Sequence, residues 1–231
     1  MQTDSCIILV MCARAHGWEQ KMEKQLKFNE PWIAQRADPY ICRHTDGMYY
    51  FTASVPAYDR IILRRADSLA GLAGAVENTV WTKHKSGIMS EHIWAPELHY
   101  IAGLWYVFYA GSEDKENNWA FDCHVLVCDS NDPYTGTWSE KGKFQKREED
   151  DFSFTGFSLD MTYFEDGERS YVIWAQHSPE KISCLYLGEV NREEPWKLIS
   201  LPMLLTEPEY DWEKVRYAVN EGPAVVKHDG R

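Results

Sequence analysis

Four acidic side chains recur at nearly even intervals along this chain of 231 residues. They are Asp38, Glu97, Asp160 and Glu221, and they lie 59, 63 and 61 positions apart. Glycoside hydrolysis requires at least two carboxyl groups on opposite sides of a sugar-sized pocket. One gives a proton to the leaving oxygen, and the other must be ionised to activate water or to attack the sugar. A third carboxylate nearby keeps the acid protonated near neutral pH. Spacing alone leaves the roles of the four acids open.

Each acid opens a similar run of short predicted strands. The predicted hairpins span residues 38–51, 97–108 and 160–174, and a fourth opens at Glu221, continues through 224–226 and reaches Asp229-Gly230. Further strands are predicted at 61–63, 125–127 and 185–187, and the three complete units end at Trp81, Trp138 and Trp196, spaced 57 and 58 apart. Repetition of several short strands at this period is typical of a β-propeller.

The repeat indicates where the acids should meet. The innermost strands of all blades line the central axis of a propeller, so residues at one position of the repeat converge on one funnel. A solvated turn residue is the ordinary interpretation of any single acid. Four in register are harder to explain in that way, because a surface acid has no reason to follow the blade period. We therefore expect the four carboxyl groups around a single pocket.

Composition excludes several classes of partner. The net charge of −12 argues against binding to nucleic-acid phosphates. The sequence has no apolar run near the ~20 residues that span a bilayer, which predicts no membrane partner. Ten Trp and thirteen Tyr exceed the needs of a small core, and aromatic faces in a polar pocket suit sugar rings. Most of these aromatics are nevertheless expected to pack between blades.

Cysteine usage and the N-terminus bear on location. The six cysteines form no Cys-x-x-Cys pair, and we interpret them as reduced, which favours the cytoplasm. The apolar run 6–12 follows Asp4 without a preceding Lys or Arg, which makes a poor signal peptide; secretion is the alternative if residues 1–21 act as one.

We expect residues 1–29 to be an N-terminal tail, with 1–21 non-native or disordered, and 30–231 to be a partial propeller catalytic domain.

Four segments together resemble glycoside hydrolase family 43. They are Arg36-Ala37-Asp38-Pro39-Tyr40-Ile41, His92-Ile93-Trp94-Ala95-Pro96-Glu97, Phe157-Ser158-Leu159-Asp160 and Val219-Asn220-Glu221-Gly222-Pro223. The resemblance extends from about residue 30 to the end. It implies a five-bladed β-propeller enzyme that cleaves arabinose- and xylose-containing polysaccharides with inversion.

The stretch 46–60 resembles more narrowly the exo-acting α-1,5-L-arabinofuranosidases of that family. The resemblance implies release of terminal L-arabinofuranose from arabinan or arabino-oligosaccharides. It also implies that Asp38 is the general base, Glu221 the general acid and Asp160 the residue that orients the acid and tunes its pKa. Substrate contacts are expected at Trp94 in the pocket wall, at Glu97, which is a structural or sugar-hydroxyl contact rather than a catalyst, and at Asn220.

The resemblance also implies a geometry. Inversion requires the carboxyl groups of Asp38 and Glu221 to lie roughly 6.5–9.5 Å apart, whereas ~5 Å indicates retention. We expect Asp160 between them and closer to Glu221. No metal ligand and no cofactor are expected to be required, and a structural calcium ion in the propeller channel is compatible with the sequence.

The sequence departs from the family pattern at its C-terminal end. We expect an all-β fold of the five-bladed propeller type that is incomplete, with about three blades and the first hairpin of a fourth. The wall between Glu221 and Asp38 would then be missing. Such a chain is predicted to be weakly active, marginally stable and prone to self-association through open blade edges.

Other functions stay open at this point. A β-xylosidase or an endo-arabinanase of the same family could use the same three carboxylates, and loops at the pocket mouth would decide between them. A non-catalytic glycan- or protein-binding propeller fragment is the alternative of another class, although it would not need acids at the axis. Retaining fructan-active enzymes rank low, because 36–39 and 158–160 do not match their Asn-Asp-Pro and Arg-Asp-Pro motifs.

Overall fold

Three antiparallel sheets follow one another along the chain. The computed structural model describes residues 31–117 and 120–228. The first sheet contains β1 (Ala37–Arg43), β2 (Tyr49–Ser54), β3 (Arg60–Ala66) and β4 (Asn78–Thr82); the second contains β5 (Glu91–Ile101), β6 (Leu104–Ser112), β7 (Asp122–Cys128) and β8 (Trp138–Lys143). The third contains β9 (Ser158–Asp166), β10 (Arg169–His177), β11 (Ser183–Asn191) and β12 (Glu194–Leu198), and β13 (Met203–Thr206) also pairs with β11. Short 3₁₀ helices lie at Ala70–Gly74 and Asp211–Lys214. We call the sheets blades 1, 2 and 3.

The three complete units of the sequence correspond to the three blades. Each predicted hairpin forms the first two strands of its blade. Trp81, Trp138 and Trp196 lie in β4, β8 and β12, the last strand of each four-strand series. The all-β prediction is therefore confirmed, together with the order of strands within each repeat.

The alternation of side chains along β6 shows how neighbouring blades pack. Trp105, Val107 and Tyr109 belong to a core that includes residues of blade 1. Tyr106 and Phe108, between them in the sequence, belong to a second core shared with blade 3. Because successive side chains of a strand point to opposite faces, a central blade that is covered on both faces needs apolar residues at every position. This explains the nearly continuous apolar run of β6.

The predicted first hairpin of a fourth blade does not form within the described residues. Residues 221–228 contain no strand. The preceding residues pair in parallel with the start of β11 through a bridge between Val219 and Ser183. The last hydrogen bond of this pairing is donated by Asn220. Gly222, which has a φ of 62°, and Pro223, which has no N–H to donate, follow shortly after it. The turn predicted at Asp229-Gly230 lies outside the described residues.

Other sequence-based expectations fall partly outside the described chain. The predicted tail 1–29 lies there, as do Cys6 and Cys12. Four other cysteines, Cys42, Cys123, Cys128 and Cys184, are buried as thiols. No helix within residues 31–117 and 120–228 is long and apolar enough to cross a membrane.

Candidate active site

Asp38 and Asp160 occupy the same position in their blades. Each lies in a β-bulge of the first strand, where two residues oppose one on the neighbouring strand: Asp38 and Pro39 in β1, Asp160 and Met161 in β9. The two aspartates have φ values of 49° and 52°. A positive φ is unfavourable for a residue with a side chain, and bulges commonly redirect side chains beside active sites. The shared distortion makes both aspartates strong candidates for function.

Blade 2 has the same bulge but no acid in it. Its bulged residues are Ala95 and Pro96, and Ala95 has a φ of 44°. Glu97 pairs with Phe108 just beyond the bulge, at the position that Tyr40 holds in blade 1. The prediction that Glu97 shares the position of the two aspartates was therefore wrong. The sequence did contain a signal that could have shown this. In blades 1 and 2 a proline directly follows the first bulged residue, and alignment of these prolines matches Ala95 with Asp38.

A buried serine holds the carboxylate of Asp38. The hydroxyl of Ser54, on β2, donates a hydrogen bond of 2.8 Å to Oδ2 of Asp38. The same oxygen of Ser54 accepts a 2.8 Å hydrogen bond from the backbone N–H of Ala95. Asp38 itself is exposed to solvent at the surface of the site. Sequence reasoning missed Ser54, since a single serine at the end of an aromatic strand carries no recognisable signal.

Asp160 is the most strongly perturbed acid of the site. Its pKa is raised to about 7, chiefly by burial, then by the charges of Glu221 and Asp38, with a smaller contribution from Glu97. A hydrogen bond of 3.0 Å from the backbone N–H of Gly222 to Oδ2 of Asp160 opposes these effects. The three other acids found in the sequence therefore lie within electrostatic reach of Asp160.

Backbone pairing with the start of β11 positions Glu221. Ser183 donates to the carbonyl of Ala218 at 3.2 Å, and its own carbonyl accepts from the N–H of Asn220 at 2.9 Å. These two bonds end immediately before Glu221. The residue is exposed as a whole, yet burial of its carboxyl, and then the charge of Asp38, raise its pKa above the usual value.

Trp94 lies in an aromatic cluster beside the bulge of blade 2. Its indole stacks on Phe121 with ring centroids 4.3 Å apart, and Tyr58 meets it edge-on at 5.4 Å. The side chain is half-buried, and its indole nitrogen has no hydrogen-bond partner within the described part of the chain. Phe121 fixes one face of the ring, as expected for a rigid wall. Contact of Trp94 with substrate stays a prediction.

Two other predicted substrate contacts have protein partners. Glu97 pairs with Nε2 of the buried His99 at 3.0 Å, and Nδ1 of His99 lies 3.3 Å from the hydroxyl of Tyr40. The side chain of Asn220 donates to Thr206 on β13 at 3.0 Å. The structure thus gives Glu97 and Asn220 structural contacts, and their binding of sugar hydroxyls stays a prediction.

The arrangement supplies carboxyl groups of two kinds. Asp160 and Glu221 have raised pKa values and form a neighbouring pair, whereas Asp38 lies on β1 and is held by Ser54. One such pair and one separate carboxylate suit acid–base chemistry on a polar, uncharged substrate. Within the residues that the structure describes, no group of three or more His, Cys, Asp or Glu side chains could hold a metal ion.

Bulged acids in the first and third blades of an all-β repeat fold define a carboxylate site of the kind that glycosidases use. The chain belongs to glycosyl hydrolases family 43, whose sequence pattern matches residues 28–231. This agrees with the resemblance of the four motifs.

Individual relatives share this pattern at high identity. An "Extracellular exo-alpha-(1->5)-L-arabinofuranosidase" of Streptomyces avermitilis is 43% identical over 224 residues, which are 97% of this chain and 45% of the relative. A protein of the same name from Streptomyces chartreusis is 47% identical over 206 residues, 88% of this chain and 60% of the relative. The chain therefore spans about half the length of these curated relatives.

A solved structure shares both fold and sequence. The α-L-arabinofuranosidase from Lactobacillus brevis is 46% identical, with a TM-score of 0.79, over 86% of this chain and 62% of that one. A thermostable family-43 glycoside hydrolase is 21% identical with a TM-score of 0.63, which supports the fold alone. Together they support the β-propeller architecture of the three blades.

The prediction of a cytoplasmic location was wrong. The two Streptomyces relatives are both named extracellular. The inference depended on cysteines, but a buried thiol behaves as a small hydrophobic side chain wherever the protein resides. The cysteines of the described chain are all buried, so they are informative about packing and not about compartment.

Proposed function

We propose that this chain carries the catalytic carboxyl groups of a glycoside hydrolase that releases terminal L-arabinofuranose from α-1,5-linked arabinan or arabino-oligosaccharides with inversion. The observation that carries the proposal is that Asp38 and Asp160 occupy the same bulge position, while the backbone N–H that directly follows Glu221 is hydrogen-bonded to Asp160. The names of the Streptomyces relatives and of the Lactobacillus brevis enzyme support the choice of sugar.

In the proposed mechanism Asp38 is the general base. Its ionised carboxylate removes a proton from a water molecule, whose oxygen attacks the anomeric carbon from the face opposite the leaving group. The exposed position of Asp38 leaves it open to that water, and Ser54 fixes the direction of the carboxylate. A separation of roughly 6.5–9.5 Å from the acid, needed to accommodate the water, is part of the proposal.

Glu221 is the proposed general acid. It protonates the glycosidic oxygen as the bond from that oxygen to the anomeric carbon breaks. Its raised pKa favours the protonated form that this step requires. Asp160, with a pKa of about 7, titrates together with Glu221, so the pair retains a proton close to neutral pH. Asp160 therefore tunes the acid without contacting the reacting atoms.

The test is a substrate panel applied to the 231-residue chain, with the Lactobacillus brevis enzyme as positive control. The panel contains p-nitrophenyl α-L-arabinofuranoside, p-nitrophenyl β-D-xylopyranoside, linear arabinan and α-1,5-arabino-oligosaccharides. We expect free L-arabinose as the first product. Early proton NMR spectra should show the anomer opposite in configuration to the substrate, and this readout tests inversion separately from substrate choice.

Each alternative gives a different result in the same panel. Preference for the xyloside would replace the substrate assignment, and internal cuts yielding oligosaccharides would indicate endo-arabinanase action. Titration calorimetry with the oligosaccharides tests the class itself. Binding without any hydrolysis, while the control enzyme is active, would indicate a glycan-binding module and contradict the proposal.

A further inference from the structure

Ser54 differs from the residues at its position in the other blades. It pairs with Ala37 across the first hairpin of blade 1. The equivalent positions of blades 2 and 3, each opposite the residue that precedes the bulge, hold Ala110 and Ala175, both buried. A methyl side chain is thus sufficient for the blade at this position. The hydroxyl of Ser54 therefore calls for an explanation other than packing.

The hydrogen bonds of Ser54 run in one direction. The backbone N–H of Ala95 donates to its oxygen, and the hydroxyl proton is then directed to Oδ2 of Asp38, both at 2.8 Å. A hydroxyl has a single proton to donate, so this arrangement commits that proton to Asp38. Ser54 is 2% exposed, and bulk water therefore does not compete for these bonds.

The bulge of blade 2 supplies the donor at the start of this relay. Ala95 occupies the bulge position at which blades 1 and 3 have Asp38 and Asp160, and it keeps the same positive φ, at 44°. A positive φ is unfavourable for alanine. In blade 2 the bulge does not place an acid in the site, so the positive φ needs another explanation. It does direct the N–H of Ala95 to Ser54. Blade 2 thus orients an acid that belongs to blade 1.

We propose that Ser54 is a positioning residue for Asp38, transmitting the geometry of the blade 2 bulge to the catalytic base. The inference rests on the proposed function, in which Asp38 activates water. Without the hydroxyl, the carboxylate of Asp38 rotates freely at the surface and meets the water in the attacking geometry less often. Loss of orientation slows the chemical step more than it weakens sugar binding.

The kinetic test compares two variants that each remove one buried hydroxyl. Ser54→Ala should lower kcat by about 10- to 100-fold and leave KM within about twofold. The matched control is Thr52→Val, on the same strand and face; Thr52 is fully buried, and its hydroxyl has no partner in the described chain. The control should keep kcat. Equal losses in both variants, or a loss confined to KM, would overturn the proposal.

A second measurement does not depend on turnover. Thermal unfolding of Ser54→Ala, Asp38→Ala and the double variant forms a double-mutant cycle. We expect the summed losses of Tm in the single variants to differ from that in the double variant by about 2 °C. The cycle of Thr52→Val with Asp38→Ala should be additive. Additivity in the Ser54 cycle would overturn the positioning contact.

The two measurements separate failure of this inference from failure of the proposed function. If the wild-type chain binds arabino-oligosaccharides and hydrolyses none, the proposed function fails, and the cycle alone decides whether Ser54 holds Asp38. If the chain is active and Ser54→Ala retains its kcat, the proposed function stands and the role of Ser54 is refuted.

Discussion

The backbone N–H of Gly222 donates a hydrogen bond of 3.0 Å to Oδ2 of Asp160. Gly222 directly follows Glu221, so the bond ties the proposed acid to its neighbouring carboxyl. Asp38 receives similar support, since an N–H from the next blade reaches it through Ser54. In both cases an acid of one blade is held by a backbone N–H from the part of the chain that follows that blade. The site therefore depends on the relative placement of successive units of the repeat.

Gly222→Ala tests this bond through backbone geometry. Gly222 has a φ of 62°, and a Cβ there would come no closer than 4.0 Å to Oδ2 of Asp160, so there is space for a methyl group. The positive φ should nevertheless cost roughly 1–2 kcal/mol. Displacement of the N–H should remove the influence that lowers the pKa of Asp160, and the pH at which activity declines on the alkaline side should rise.

The control for that experiment is Gly167→Ala. Gly167, in the turn of the third hairpin, has the same φ of 62° and nothing within 4 Å of its added Cβ. The two variants should lose similar Tm, but only Gly222→Ala should change the pH profile of p-nitrophenyl arabinoside hydrolysis. An identical profile in both would contradict the role of the bond.

Asp38→Ala and Glu221→Ala distinguish the base from the acid. Asp38→Ala should abolish turnover of every substrate, because no other group activates the water. Glu221→Ala should slow natural oligosaccharides by about 10²–10⁴-fold, while p-nitrophenyl arabinoside, whose leaving group hardly needs a proton, should be affected far less. Steady-state kinetics on both substrate types provides the measurement. Equal losses on the two types would argue against Glu221 as the acid.

The sequence predicted the repeat well, because strand alternation, glycine turns and terminal tryptophans are local patterns. It failed at Glu97, since the extra residue of a β-bulge shifts the register by an amount that spacing does not reveal. It also failed after Gly222, where the expected strand is absent from the described residues. The role of Ser54 could not be predicted from the sequence for another reason. It depends on contacts with Asp38 and with Ala95 of the next blade, which only the folded structure brings together.

Glu97 is expected to support the fold through His99. The imidazole is 5% exposed and pairs with Glu97 at 3.0 Å. Glu97→Ala should therefore destabilise the protein by about 1–3 kcal/mol, because it leaves a buried polar group without this partner. Glu97→Gln keeps an oxygen acceptor and should cost less. Chemical denaturation measures the free energy of unfolding of both variants. If a variant binds arabinose more weakly but is as stable as wild type, Glu97 is a substrate contact instead.

Self-association is expected to involve β13. Within the described chain this strand pairs with β11 alone, and Met203, Leu204 and Leu205 on it are 54%, 51% and 46% exposed. An exposed apolar edge strand favours pairing with another copy. Sedimentation velocity should show concentration-dependent association that Leu204→Lys reduces. The control is Leu201→Lys, at a residue that is 55% exposed and outside the strand; a purely monomeric wild type would refute the expectation.

The pKa of Asp160 predicts how stability varies with pH. Burial and neighbouring acids raise the pKa from its ordinary 3.8 to about 7. The folded state therefore binds more protons than the unfolded state between these values, so this group makes stability fall as pH rises through that window. Asp160→Asn removes the ionisation and keeps an oxygen for the N–H of Gly222. The variant should match wild type near pH 4 and be more stable at pH 8, by at most about 4 kcal/mol.

A carboxyl group with the opposite shift supplies the control for that experiment. Lys83 lowers the pKa of Glu91 through a hydrogen bond of 2.8 Å. The stability that Glu91 contributes is present above its ordinary pKa of 4.5 and is lost as pH falls. Glu91→Gln should thus be slightly less stable than wild type at pH 8, by up to about 1 kcal/mol for a partly exposed pair. Urea unfolding at pH 4, 6 and 8 should show Asp160→Asn gaining stability over wild type as pH rises while Glu91→Gln loses it. A gain for Asp160→Asn that is the same at pH 4 and pH 8 would mean that Asp160 is not ionising in this range, and the proton-sharing pair at the centre of the proposed mechanism would have to be abandoned.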